Sequence, residues 1–382
     1  MSVTDKAADG PGAGLEPPGF PRIHVLWQEA WSNLVSGTSR AFIFAAALML
    51  LCGPLALTQV RLVADFVDAA STFRSSGAAI FTITLDGGIN GAQCDALNSL
   101  PGIGASGALR AGPRITLAAL PSTSIASLQA TPAFASLLDF TQARPNPVRG
   151  VWVASDLASR LGIANPGTQL VLAPIGTANV AGIYDYPDDG RSPVLGYEIV
   201  SPVPATGAFD QCWLLAWPDP GRAMDLLYQS LLPRANAGNN IQPTVSQLNV
   251  THGATFDAAR RWSQMPLWLI SLAGLTIGAL LGFTSIRVRR LELASTLHSG
   301  IPKVALALQI AFESLVWLAI ALLPTLALIL LVARQLPPAD WLAAFVPAVR
   351  TLLLASIAAM AGAQVATLLT FERHLFRYFK SR

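Results

Sequence analysis

Side chains able to do chemistry are few and far apart in this 382-residue sequence. Its histidines, His24, His252, His298 and His374, are too scattered to assemble a zinc site or a histidine-based triad. Its lysines are Lys6, Lys303 and Lys380, and none follows a glycine-rich turn that could cradle phosphates. Asp185, Asp188 and Asp189 lie together in the run from Tyr184 to Arg191. Their spacing does not fit a Ca²⁺ loop, and a solvated turn closed by Arg191 is the simpler reading. The expectation is a chain that is not an enzyme, with no catalytic, metal-binding or cofactor-binding residues of its own.

The elements that carry these residues are set by lipid. The chain is 52% hydrophobic and 12% charged with a mean hydropathy of +0.49, where a soluble domain holds roughly a quarter charged residues. Its formal charge of +3, with no block of basic residues interleaved with aromatics, excludes nucleic acid as a partner. Four long apolar runs occupy 41–60, 264–286, 304–333 and 341–370. About 20 apolar residues suffice for a helix to cross the bilayer, so each run is expected to be a transmembrane helix. Ahead of the first run, 22–40 carries Trp27 and Trp31 on an amphipathic stripe, which suits a helix at the membrane interface or one packed on the protein's own surface. Residues 1–21, rich in Gly, Pro and Asp, are expected to form a disordered cytoplasmic tail.

Basic residues in the short flanks set the orientation. Arg287, Arg289, Arg290 and Lys303 lie in the loop 287–303, and Arg373, Arg377, Lys380 and Arg382 in the tail 371–382, whereas the connection 334–340 offers Arg334. A multi-pass protein of the cell membrane with both termini cytoplasmic is therefore expected, with 61–263 outside.

The segment 61–263 changes character, to short apolar strands and helices punctuated by Pro and Gly. Strands are predicted over 79–85, 114–120, 151–153, 169–173, 179–184, 198–200 and 212–217, and helices over 92–100, 156–161 and 221–232. The fold class is thus a four-helix membrane protein with a mixed α/β extracytoplasmic domain inserted between helices 1 and 2. Cys94 and Cys212 are the cysteines of that domain. An oxidising compartment favours their bridging, two separate buried thiols being the alternative.

Within the apolar runs, Glu313 and Arg350 are ionisable and hence functional candidates. Glu313 should lie near the cytoplasmic face and support the loop. Arg350 should lie in the outer half, snorkelling or bonded to a backbone carbonyl, and the two should not pair. Gly274, Gly278 and Gly282 recur every fourth residue, as do Ala355, Ala359 and Ala363. The glycine face reads as a candidate dimer seam, with packing inside one chain as the alternative.

The run from Arg287 to Leu315, RVRRLELASTLHSGIPKVALALQIAFESL, resembles the cytoplasmic loop and third helix of FtsX-like permeases, the membrane subunits of MacB-type ABC systems. Arg289, Arg290, Glu292, Gly300 and Glu313 match that pattern in kind and order. In the outer segment, CDAL from Cys94, SDLASRLG from Ser155 and AGIYDYPDDGR from Ala181 are similar to the family's MacB-like periplasmic core domain. His298 and Ser299 depart from it, standing where small apolar residues are usual.

The resemblance implies a permease subunit that draws energy from a separate cytoplasmic ABC ATPase, which would bind the ATP and Mg²⁺. It implies a coupling loop carrying Arg287, Arg289, Arg290, Glu292, His298, Gly300 and Lys303, a second permease copy or paralogue, and transmission of motion to the outer domain. The expected role is export or extraction of a peptide, lipid or hydrophobic compound, with an extracytoplasmic protein or peptide as a further partner. The alternatives are a non-transporting regulator of a cell-wall hydrolase or sensor, and an ATPase-independent receptor or scaffold.

Overall fold

A computed structural model describes residues 23–37, 39–117, 120–141, 150–173, 176–218, 220–233 and 242–371. The expected tail 1–21 and the basic residues Arg373, Arg377, Lys380 and Arg382 lie outside the described residues. The chain divides into two compact units, one of residues 1–67 with 264–382 and one of residues 68–263.

The chain enters through α1 (Ile23–Val35) and α2 (Ala41–Ser75). The sequence predicts the first span over 41–60, but its helix continues for a further stretch because nothing in 61–75 breaks it. Arg61, Asp65, Asp68 and Arg74 punctuate an amphipathic extension, and the stop comes with Gly77 at φ +78°.

The second unit is built on one twelve-stranded mixed sheet. Its strands are β1 (Ile80–Asn90), β2 (Ile103–Ala111), β3 (Ile115–Leu117), β4 (Leu120–Ile125), β5 (Ser127–Ala130), β6 (Asp139–Phe140), β7 (Val151–Ala154), β8 (Gln169–Ala173), β9 (Gly176–Asp185), β10 (Ile199–Pro202), β11 (Ala208–Ala216) and β12 (Thr244–Gln247). They run in the order β12-β1-β11-β2-β5-β10-β7-β9-β8-β3-β4, with β6 on β9. The pairs β5–β10 and β7–β9 are parallel, and the other pairs are antiparallel. The short helices are α3 (Gly91–Ala96), α4 (Ser155–Arg160), α5 (Ala223–Gln229) and α6 (Ala258–Gln264). The helix predicted over 92–100 is divided, ending as α3 and passing into a 3₁₀ turn at Leu97–Ser99.

Apolar alternation puts two cores on this unit. One gathers Phe134, Trp152, Tyr184, Leu195 and Ile199. The buried Tyr184 hydroxyl lies 2.9 Å from the Leu195 carbonyl and 3.2 Å from that of Glu198, so its polar end is satisfied. The other gathers Ile83, Leu97, Phe209 and Leu227 around a Cys94–Cys212 disulfide that closes a separation of 118 residues.

The chain then forms α7 (Leu267–Val288), α8 (Arg290–His298), α9 (Lys303–Ala333) and α10 (Trp341–Leu368). Four helices, with α2, α7, α9 and α10 as their cores, are long and apolar enough to cross a membrane. With the mixed sheet they give the chain four apolar helices of membrane-crossing length and an α/β domain. In the first unit the apolar faces of α2, α9 and α10 pack around Ala56, Val60, Trp317, Ala321 and Leu352.

Candidate functional site

The loop between α7 and α9 is shaped by its own sequence. Arg289 ends α7 and caps α8, where the Leu293 N–H donates to its carbonyl at 3.1 Å. The stop of α8 is Gly300 at φ +93°, a left-handed position suited to glycine, and Pro302 follows as the N-cap of α9. The inner face of α8 presents Leu293, Ala294 and Leu297, which are buried with Ile286, Leu306 and Ile310.

A buried polar junction fixes this corner. Arg289 is 7% exposed and Glu313, on α9, is 5% exposed. The guanidinium donates from Nε at 3.1 Å and Nη2 at 2.7 Å to the two oxygens of Glu292, and from Nη1 at 2.5 Å to Oε2 of Glu313. Oε1 of Glu313 accepts from Nδ2 of Asn33 on α1 at 2.7 Å. Burial alone would push the arginine's pKa down. Both carboxylates oppose that and the net shift is upward, so the charge is retained. One carboxylate thus ties α1, α9 and the start of α8 together.

The residues predicted for the loop therefore divide. Arg289 is an internal brace, because a buried guanidinium needs counter-charge at hand. Arg287 is half-buried with its guanidinium 5.0 Å from the Phe283 ring, and Arg290 is half-buried. Glu292, His298, Gly300 and Lys303 are exposed, Lys303 with its ammonium 4.0 Å from the Phe371 ring, and so is Ser295, which the sequence did not single out.

In the structure the glycine face packs against α10 of the same chain, the helix-packing alternative of its sequence reading. A Cβ at Gly274 would come to 2.9 Å from Cγ2 of Thr351, and one at Gly278 or Gly282 would overlap the backbone carbonyl of Ala355 or Ala359. Gly362 on α10 meets α7 in the same way, against Ala279. The alanine repeat of α10 is the other half of this contact, two small-residue faces allowing close backbone approach.

A second polar node joins α2, α7 and α10. Gln59 donates from Nε2 to the Leu267 carbonyl at 2.9 Å and accepts from the Thr351 hydroxyl at 2.8 Å, which in turn lies 2.8 Å from the Ser271 hydroxyl. Sequence reasoning missed this node and Asn33. The available signal was a glutamine near the end of an apolar run, where a polar side chain needs a partner.

On α1, Ala30 and Leu34 are buried, and the Trp27 ring meets Phe312 edge-on at 5.4 Å. Trp31 and Val35 are exposed, so the helix both packs on α9 and presents an apolar edge. Arg350 is exposed on α10.

In the sheet unit the acidic turn closes on itself. Arg191 donates from Nε and Nη2 to Asp189 at 2.9 and 2.6 Å and reaches the Ser75 carbonyl at 2.8 Å, while the Asn249 amide reaches the Ser76 carbonyl at 2.9 Å. The arginine holds the Asp189 carboxyl below its ordinary range.

No family model matches the chain, and no curated protein matches it. Among solved structures, it is similar to a domain assigned to a permease protein from Porphyromonas gingivalis. That match has 13% identity and a TM-score of 0.33, covering 46% of this chain and 92% of that one. It is also similar to the extracellular domain of the noncanonic ABC-type transporter YknZ from Gram-positive bacteria, at 11% identity and a TM-score of 0.31, covering 44% of this chain and 99% of that one.

Proposed function

We propose that this chain is the membrane subunit of an ABC system of the FtsX/MacB type, with α8 as the element on which a separate cytoplasmic ATPase acts. The observation that carries the reading is the braced corner. A short helix presents Ser295 and His298 outward, with Gly300 exposed just beyond its end, while Arg289 and Glu313 fix its inner side to α9. A helix that receives force needs both an exposed face and a stiff attachment, and this corner supplies both. The resemblance of the loop sequence, and the order of one span, a large α/β domain and three further spans, point the same way.

In this reading the loop faces the cytoplasm, the sheet unit lies outside, and ATP and Mg²⁺ are bound by the partner. Nucleotide-driven closure of two ATPases would move α8, and the spans would carry the motion outward in a dimeric assembly. Export or extraction of a peptide, lipid or hydrophobic compound follows from such movement.

The test is co-expression with a candidate ABC ATPase subunit from the same source. Cysteines replacing Ser295 and His298 should cross-link to that ATPase, and Ser295→Trp should abolish the complex while the bundle remains folded. An ATPase that binds equally well with both exposed positions made bulky would refute the assignment.

A further inference from the structure

Helix α1 has three sides. At about 3.6 residues per turn, Ala30, Asn33 and Leu34 form the side packed on the bundle, and Gln28, Glu29, Ser32 and Ser36 form an exposed polar side. Between them runs a line of Trp27, Trp31 and Val35, exposed at 44%, 54% and 73%, with the exposed His24 at its start. A surface helix of a water-soluble protein needs one apolar side, turned to its core. A second apolar side next to a polar one calls for a further medium.

The level of α1 in the bundle identifies that medium. Residues 41–60, between Arg40 and Arg61, and 314–333, between Glu313 and Arg334, are uncharged. At about 1.5 Å per residue each stretch is about 30 Å long, the thickness of bilayer hydrocarbon. The two lie side by side, with the Phe44 and Trp317 ring centroids 6.3 Å apart and a Cβ at Gly53 coming to 3.6 Å from Cγ2 of Thr325. Those contacts put Arg40 level with Glu313 and Arg61 level with Arg334, so both stretches begin and end in the same two planes. At the first of these planes α1 meets α9, through Trp27 on Phe312 and Asn33 on Glu313. Residues six apart on α1 thus touch neighbouring residues of α9. The helix therefore crosses α9 and lies along the boundary instead of passing through it. Just after the short turn that follows α1, the exposed Phe42 and Ile43 open the uncharged stretch of α2.

We propose that α1 is seated in the bilayer interface, with Trp27, Trp31 and Val35 against lipid at the glycerol and upper acyl level. Gln28, Glu29, Ser32 and Ser36 then face water, while Ala30 and Leu34 face protein. Tryptophan suits that level, since its ring is apolar and its indole N–H finds acceptors among the headgroups. The occupant is lipid because the edge lies in the plane where the uncharged stretches begin, beside the exposed first turn of α2. A helix with one apolar and one polar flank settles at that depth. The proposal rests on the four long helices being membrane spans and is independent of the role given to α8.

The test is spin labelling of the full chain in phosphatidylcholine vesicles. Single cysteines are placed in a Cys52→Ala background, where the remaining Cys94 and Cys212 are bridged. Labels on Val35→Cys, Ser32→Cys and Phe42→Cys are read for collision with oxygen, which concentrates in lipid, and with a neutral nickel chelate, which stays in water. The oxygen-to-nickel ratio should be several-fold higher at position 35 than at 32 and should approach that at 42. Adding Trp31→Glu should lower the ratio at 35 several-fold and leave that at 42 unchanged, while Trp31→Phe should leave both unchanged. Equal ratios at 35 and 32 overturn the proposal by placing the edge in water. A label at 35 reached by neither reagent overturns it by placing protein on the edge, a second copy if excess lipid frees the label. A label at 42 in water overturns the span itself and the proposal with it.

Discussion

Replacing Glu313 with glutamine should loosen α8 without unfolding the bundle. The carboxylate is 5% exposed and accepts from Arg289 and Asn33 at opposite oxygens. Glutamine keeps the shape and the acceptor toward one partner but turns an amide toward the other. Stripping one partner from a buried pair costs about 3–5 kcal/mol when the remaining charge is left alone. Here Arg289 retains its two-pronged contact with Glu292, half of whose side chain faces water at 42% exposure, so the loss falls below that range. We expect about 2 kcal/mol, which is about 30-fold in the local opening equilibrium. Hydrogen exchange of the purified chain in nanodiscs measures it directly. Amides of Leu293 to His298 should exchange faster by that factor, while those in the middle of α7 and α10 stay unchanged. The double variant Arg289→Met/Glu313→Met should recover most of the protection, because a buried pair replaced by apolar side chains of similar volume is near neutral. Unchanged exchange in Glu313→Gln would refute the brace, and an equal rise through α7 and α10 would show general destabilisation instead.

Three further outcomes follow from the same geometry. Gly278→Leu drives a side chain into the Ala355 backbone and should lower stability by at least the 1–3 kcal/mol typical of overpacking, read as a drop in thermal unfolding of the detergent-solubilised chain. Cys212→Ser opens a loop of 118 residues and should cost the sheet unit about 2–5 kcal/mol, measured by denaturant unfolding of the full chain with a fluorescence probe in that unit. Asp189 has a folded pKa held below its unfolded value of about 3.9, so its pairing with Arg191 stabilises fully above that value and is lost as pH falls through the folded pKa. Asp189→Asn should flatten the decline of unfolding temperature below about pH 4 by a small amount, the pair being partly exposed, and an unchanged acid limb would show that the pairing contributes nothing.

The spans were legible because bilayer thickness imposes a length that composition alone reveals. The end of α2 was not, since the stretch from Arg61 to Arg74 is polar enough to look like the start of another domain yet contains nothing that stops a helix. In the sheet unit, β8 is read at its true bounds because Gln169–Ala173 alternates cleanly between buried and exposed. By contrast β2 was missed, since Ile103–Ala111 is built of Gly, Ala and Ser beside few branched side chains. Its strand character comes from neighbours on both sides, β11 and β5, which is information outside its own sequence. The site shows the same division. Arg289, Glu292 and Glu313 stood out by type, but Asn33 acquires meaning only when the fold brings it across 280 residues to Glu313.

The glycine face illustrates why spacing constrains a contact without naming the partner. Small residues at every fourth position require close approach by some helix, and a second copy satisfies that requirement as well as α10 does. The alanine repeat on α10 was equally visible, and in the structure one repeat lies on the other. That has a consequence for the proposed coupling. With the backbones of α7 and α10 touching at Gly278 and Gly282, axial sliding would carry alanine side chains across glycine gaps too shallow for larger groups. The Gln59–Ser271–Thr351 node adds hydrogen bonds that sliding would break. Under the proposed coupling, a force on α8 would be resisted as shear between these two helices and would be transmitted as tilt of the pair. In that picture the Arg289–Glu313 brace is the point about which the corner turns.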